Sequence, residues 1–202
     1  MTSSRSVEEV KEYRDKHQMV VTEGVTNPIL TFDEVSYPNA IKQVIRKNGF
    51  TAPTPVQAQG WPIALSGQDM IGIAQTGSGK TLGFTLPGLL HINAQAPGGT
   101  GPIALCLCPT RELAQQVMEV CDEYAQAMRI RAVCLYGGSS KYAQIQKLRE
   151  GVEFAIATPG RLIDLLDTKK LSLRRCSYLV LDEADRMLDM GFEPQVPLFP
   201  LN

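Results

Sequence analysis

The 202-residue chain has no apolar run near the roughly 20 residues needed to span a bilayer. It also lacks a surplus of positive charge: 20 Lys and Arg against 21 Asp and Glu leave a net −1. The first absence removes any transmembrane-helix candidate. The second removes bulk charge as an argument for a nucleic-acid partner, which then has to be argued from local sites. The opening stretch MTSSRSVEEVKEYRDKHQ is polar and is not expected to be a secretory signal. The five cysteines are odd in number and have no framework spacing, so they read as buried thiols of a reducing compartment. Cys106 and Cys108 fall in one apolar run. There, strand alternation is expected to send the two thiols to opposite faces, away from any shared metal.

What is present is a composition of a globular kind, 44% apolar and 20% charged, sufficient for one domain with a core. Residues 1–31 are charged and poorly periodic, and read as an extended arm with one short helix near 7–17. Ile41, Val44 and Ile45 then recur at helical spacing, closed by Gly49. Thr54 and Pro55 open another helix as cap and first-turn pair. Beyond these, short apolar runs at Met70–Ala74, Ile103–Cys108, Ala132–Tyr136, Phe154–Ala157 and Tyr178–Leu181 read as strands. Helical stretches near 80–91, 111–128, 140–150, 159–167 and 184–190 alternate with them. Such alternation predicts an α/β fold, a mostly parallel sheet with helices on both faces.

Two stretches carry chemistry. In MIGIAQTGSGKT (70–81) an apolar run leads into a glycine-rich turn, and Lys80-Thr81 opens a helix, the context a phosphate-binding P-loop needs. Gly77 and Gly79 let backbone N–H groups converge on phosphate oxygens at a helix N-terminus. Lys80 would reach the β- and γ-phosphates and Thr81 would ligate Mg²⁺. The strict P-loop pattern begins with glycine, where this chain has Ala74. In YLVLDEAD (178–185), Asp182 stands at a strand end, suited to hold Mg²⁺ through water, and Glu183 is placed to orient or deprotonate a water attacking the γ-phosphate. Taken alone, the acidic pair also suits the first turn of a helix. The carboxamide of Gln57, in GFTAPTPVQ (49–57), has the donor and acceptor that adenine N7 and N6 require, and Phe32 is an aromatic available to stack. On chemistry alone, an ordinary helix position is the favoured reading of Gln57.

These stretches, taken in order, resemble the first RecA-like domain of a DEAD-box ATP-dependent RNA helicase over about residues 30–195. Phe32 and GFTAPTPVQ resemble the Q motif, AQTGSGKT motif I, and PTRELAQQ (109–116) motif Ia. Gly137-Gly138 resembles the glycine doublet, TPGR (158–161) motif Ib and DEAD motif II. The resemblance implies that Phe32 and Gln57 hold adenine, and that Thr76, Gly77, Ser78, Gly79, Lys80 and Thr81 hold the phosphates and Mg²⁺. It implies that Lys80, Asp182 and Glu183 carry the chemistry, and that Asp185 couples the ATP site to RNA. Pro109, Thr110, Arg111, Gly137, Gly138, Thr158, Gly160 and Arg161 would grip the sugar–phosphate backbone, independently of sequence. The arm and the NPILTF stretch are similar to the branch acting in nuclear RNA processing, which implies a nuclear protein, with the cytoplasm as the alternative.

The resemblance stops near Gln195. Pro197 and Pro200 follow where a helix is expected to continue, and the motif III strand of such a domain, with the second RecA-like domain, is absent. The expected sheet therefore lacks its last strands, leaving the P-loop and DEAD strands with unpaired edges. The expected organisation is an arm (1–31), an incomplete ATP-binding domain (32–195) and a divergent tail (196–202). The alternative to a helicase is a non-catalytic product that binds ATP or RNA weakly, or competes with a full-length helicase.

Overall fold

The computed structural model describes residues 5–96 and 98–191; Gln195, Pro197 and Pro200 lie outside them. The chain divides into two compact units, Met1–Pro87 and Gly88–Asn202.

The first unit is helical. Helix α1 (Val7–Lys16) starts from a capping box in which Ser6 Oγ accepts from the Glu9 N–H and the Glu9 carboxylate accepts from the Ser6 N–H. This is the short helix expected near 7–17. The stretch around it is not loose: Arg14 Nε donates to Gln59 Oε1 at 3.1 Å, Gln59 Nε2 to the Thr26 carbonyl at 2.8 Å, and the Ile29 N–H to the Ala58 carbonyl at 2.8 Å. A 3-10 turn (Phe32–Glu34) precedes α2 (Asn39–Lys47), which buries Ile41, Val44 and Ile45. Asn48 is its last cap residue, and Gly49 follows at φ +70°, with the Phe50 N–H returning to the Ile45 carbonyl. Helix α3 (Pro55–Leu65) carries Trp61, fully buried, its Nε1–H aimed at the Leu82 carbonyl at 3.4 Å and its ring against Tyr37 and Phe32.

Met70–Ala74 is not a strand. A strand exists only when a neighbour takes its N–H and C=O groups, and this segment has no ladder partner among the described residues. Ile71 and Ile73 are 93% and 96% exposed. Two bare isoleucines on unpaired backbone are an aggregation hazard. At tens of micromolar the 202-residue chain is therefore expected to self-associate in light scattering, and Ile71→Lys with Ile73→Lys to lower that association. Unchanged scattering in the double variant would clear this segment.

Helix α4 (Lys80–Asn93) spans the division between the units, which falls beside its internal Pro87. The second unit is a four-stranded parallel sheet of order β2-β3-β1-β4, formed by β1 (Ala104–Leu107), β2 (Ala132–Leu135), β3 (Phe154–Ala157) and β4 (Tyr178–Leu181). Each strand runs into the next helix: α5 (Arg111–Ala127), α6 (Lys141–Arg149), α7 (Pro159–Asp167) and α8 (Ala184–Asp189). The central strands β1 and β3 are buried throughout, as all-apolar strands covered on both faces should be. Among the described residues, strand β4 pairs only with β1 and is an edge, half-buried, with Leu181 exposed. That agrees with the open edge expected beside the DEAD strand.

The cysteine expectation needs correction. Cys106 and Cys108 Sγ atoms lie 3.9 Å apart, on one face and fully buried. Strand side chains alternate with period two, so residues two apart share a face; it is neighbours one apart that oppose. Burial, then the bond to Cys108, pushes the Cys106 thiol well up, and burial pushes Cys121 and Cys134 up to about 12. These thiols stay protonated at neutral pH; Cys106, Cys108 and Cys121 are buried as expected, while Cys134 and Cys176 are only half-buried.

Candidate nucleotide and nucleic-acid sites

The first unit forms the glycine-rich turn in which a phosphate loop was expected. Thr76–Gly79 turn tightly, Gly77 at φ +77° and Gly79 at φ +88°, before α4 begins at Lys80. A Cβ on Gly79 would meet Gln57 Nε2 at 2.6 Å, so this glycine is required by packing as well as by its backbone. A Cβ on Gly77 would meet nothing within 4 Å, leaving its peptide open to a close ligand. Ser78 Oγ is buried with no hydrogen-bond partner, an orphan of the kind a phosphate oxygen satisfies. Lys80 Nζ is folded back on its own loop, donating to the Ala74 and Gln75 carbonyls. A phosphate is a stronger acceptor than either carbonyl, so the loop's donor set fits one.

Gln57 lies in the first turn of α3, 5% exposed. Its Oε1 accepts from the Thr54 N–H at 3.1 Å and its Nε2 donates to the Gly79 carbonyl at 3.0 Å. A primary carboxamide has a second N–H and a second lone pair, so half of its bonding capacity is spent on the chain. Phe32 is half-buried, its ring centroid 5.9 Å from that of Trp61. Trp61, one turn beyond Gln57 on α3, escaped sequence reasoning. Its signal was being the single tryptophan at helical spacing from Gln57.

In the second unit, the parallel register brings the C-terminal ends of all four strands level: Leu107 pairs Ala157 and Leu181, and Leu135 pairs Ala157. The turns carrying Pro109–Arg111, Gly137-Gly138, Thr158–Arg161 and Asp182-Glu183 therefore share one rim of the sheet, where ligand sites of open α/β folds gather. Thr110 Oγ1 caps α5 by accepting from the Leu113 N–H at 3.2 Å, while Thr158 makes no such cap bond. The Arg111 guanidinium lies 4.9 Å from the centroid of the Tyr136 ring, whose hydroxyl accepts from Gln115 Nε2 at 3.2 Å. A Cβ on Gly138 would be 3.9 Å from Arg111 Nη1, so the structure brings Arg111 and the glycine doublet together.

Arg161 is placed otherwise. Its side chain is only 10% exposed, and its guanidinium reaches Gln144 Oε1 at 2.9 Å, the Ser139 carbonyl at 3.2 Å and Asp164 Oδ2 at 3.8 Å. Asp164 also pairs Lys141 Nζ at 2.6 Å. Sequence reasoning passed over Ser139, Gln144 and Asp164. A glutamine inside the first turns of a helix otherwise apolar toward the core was their available signal.

Asp182 is 8% exposed and continues the ladder, its N–H donating to the Leu107 carbonyl at 2.9 Å. Glu183 follows at φ 54°, ψ 51°, a left-handed conformation rare outside glycine, and caps α8. Its Oε2 sits 3.2 Å from Arg186 Nη1. Asp185 is exposed.

A parallel α/β sheet with helices, preceded in sequence by a glycine-rich turn and followed by an Asp-Glu pair, is the architecture of a RecA-like helicase domain. The chain belongs to the DEAD/DEAH box helicase family, whose profile matches residues 54–198. It is 55% identical over 197 residues to the ATP-dependent RNA helicase DBP2 of Meyerozyma guilliermondii, covering 96% of this chain and 36% of that protein. It is 54% identical to the ATP-dependent RNA helicase p62 of Drosophila melanogaster, covering 96% and 27%. Among solved structures, it superposes on the yeast DEAD-box splicing factor Prp28 with a TM-score of 0.90 at 31% identity, covering 98% of this chain and 48% of that one. Prp28 from Chaetomium thermophilum, bound to ADP, gives 0.87 at 35% identity, covering 99% and 50%. The chain thus spans about a third of the length of the curated relatives it matches. Among the described residues, no helix is long and apolar enough to cross a membrane.

Proposed function

We propose that the chain is the ATP-binding part of a helicase that couples ATP hydrolysis to RNA binding and duplex unwinding. The observation that carries this reading is the Gln57–Gly79 hydrogen bond, which ties the adenine reader to the phosphate loop. Gln57 and Phe32 take adenine, while Thr76 to Gly79 and Lys80 take the phosphates. As the family resemblance implies, the Thr81 hydroxyl, and Asp182 through water, would each serve as a ligand for Mg²⁺, whose chemistry is to neutralise charge on a phosphoryl group. Glu183 orients and deprotonates the attacking water. Lys80 leaves its two loop carbonyls for the phosphates, so binding exchanges an internal contact for a charge-assisted one.

The rim of the sheet takes RNA. Arg111 pairs a phosphate, held ready by Tyr136; Pro109 and Thr110 flank it, while Gly137, Gly138, Thr158 and Gly160 offer backbone and hydroxyl donors. Asp185 couples this rim to the ATP site. The reading includes the partition into an arm (1–31), the nucleotide-binding domain (32–195) and a divergent tail (196–202). The arm's similarity to nuclear RNA-processing helicases, and the likeness of the fold to the splicing factor Prp28, support a nuclear role in RNA processing.

Trp61 supplies the test. As the only tryptophan, packed on Phe32, it is expected to change its emission when adenine stacks there. ATP should titrate this signal at lower concentration than GTP, and Gln57→Ala should narrow the difference by about tenfold, one well-formed bidentate contact. Equal ATP and GTP titrations in the wild-type chain would sink the adenine assignment.

A further inference from the structure

We propose that Gln144 is a positioning residue that locks the Gly137-Gly138 loop and the Thr158–Arg161 turn into one phosphate-gripping unit. This rests on the RNA reading of the rim. Gln144 sits in α6, 7% exposed, too buried to touch a ligand itself. Its Nε2 donates to the Tyr136 carbonyl at 3.1 Å and to Ser139 Oγ at 2.6 Å, bracketing the glycine doublet on both sides. Its Oε1 accepts from Arg161 Nη1 at 2.9 Å, and Arg161 Nη2 donates back to the Ser139 carbonyl at 3.2 Å. Asp164 closes the ring from α7, facing both Arg161 and Lys141 of α6. One buried carboxamide therefore spans three segments: the end of β2, the start of α6 and the start of α7.

The loop it holds is bare. Gly137 and Gly160 have no positive φ, so neither conformation demands glycine. A Cβ on either would meet nothing within 4 Å, so neither packing nor turn geometry accounts for the missing side chain. What glycine provides at both positions is exposed peptide, accessible to a closely approaching backbone. Exposed peptide grips a phosphate well only if its N–H directions are set beforehand, because ordering it on binding costs affinity. The Gln144 network performs that ordering in the free protein, and the interior placement of its bonds makes it stiff.

The experiment compares Gln144→Leu, which keeps volume and removes all three bonds, with Gln144→Glu, which keeps the acceptor for Arg161 but cannot donate to the Tyr136 carbonyl. The first reading is the backbone order parameter of the Gly137 and Gly138 amides from nitrogen relaxation, which involves no RNA. It should fall from about 0.85 toward about 0.6 in Gln144→Leu and by less in Gln144→Glu. The second is anisotropy of labelled single-stranded RNA against salt. Gln144→Leu should bind about tenfold more weakly, with ATP affinity unchanged. Arg111→Gln serves as the control for the RNA reading: losing one phosphate contact should flatten the log K against log salt slope by about 0.7. Unchanged glycine order parameters in Gln144→Leu overturn the lock. Unchanged RNA affinity there, with Arg111→Gln impaired, overturns its role in grip while sparing the RNA reading. Equal RNA binding by wild type and Arg111→Gln overturns the RNA reading, and the glycine order parameters still decide the lock. Should Gln144→Leu fail to fold by circular dichroism, Gln144→Glu decides by the same two readings.

Discussion

Glu183→Gln is expected to lower ATP hydrolysis about 10²–10⁴-fold and to leave ATP affinity within a factor of about two. The carboxylate is held by geometry that glutamine reproduces. Strand β4 ends with the Asp182 N–H bonded to the Leu107 carbonyl, and the chain must turn at once into α8. Glu183 absorbs that turn in a left-handed conformation, which costs a residue other than glycine on the order of 1–3 kcal/mol. Such strain is tolerated where a side chain has to be aimed. Glutamine keeps the shape and the backbone but cannot accept the proton. The ion pair with Arg186 is also lost, though it is largely exposed and contributes little. The measurement is single-turnover phosphate release with RNA present in a full-length helicase that contains this chain, beside equilibrium nucleotide binding, since the 202 residues alone are expected to be inactive. Release within a few-fold of wild type would take the base role away from Glu183.

Trp61→Ala is expected to cost about 3–5 kcal/mol, a large share of the roughly 5–15 kcal/mol that holds a domain together. Trp61 is fully buried, contacts the rings of Phe32 and Tyr37, and aims its indole N–H at the Leu82 carbonyl at the start of α4. Removing it opens a cavity beneath the 3-10 turn that carries Phe32. For a chain of this length the loss corresponds to a melting temperature about 6–20 °C lower, read by circular dichroism. Trp61→Phe, which fills most of the volume, should fall by less than half as much. A melting temperature for Trp61→Ala within about 2 °C of wild type would show that the first unit does not depend on this ring.

Most of the second unit was legible in the sequence because its signals are local and strong. Phe154–Ala157 and Tyr178–Leu181 are the strands where the apolar runs placed them, and the helices after 111, 140, 159 and 184 begin within a residue of expectation. Short apolar runs joined by capped helices admit few other arrangements. The glycine-rich turn and the start of α4 at Lys80 were legible for the same reason: glycines and a lysine at that spacing declare a turn into a helix. Met70–Ala74 was misjudged as a strand because being one is not a property of the segment. Its apolar, β-branched composition expresses a preference, but the ladder partner that makes it a strand lies elsewhere or nowhere.

The sequence by itself determined the family, the alternation of elements and the positions of Lys80, Asp182 and Glu183 along the chain, because each depends on spacing between near neighbours. Tertiary structure decided what no spacing encodes. It placed the Gln57 Nε2 on the Gly79 carbonyl and set Trp61 against Phe32. It also drew Tyr136, Ser139, Gln144 and Arg161 into one network. These contacts join groups from different segments of the chain. A hydrogen bond between them is set by angle and by exclusion of water, and both exist only once the layers have packed.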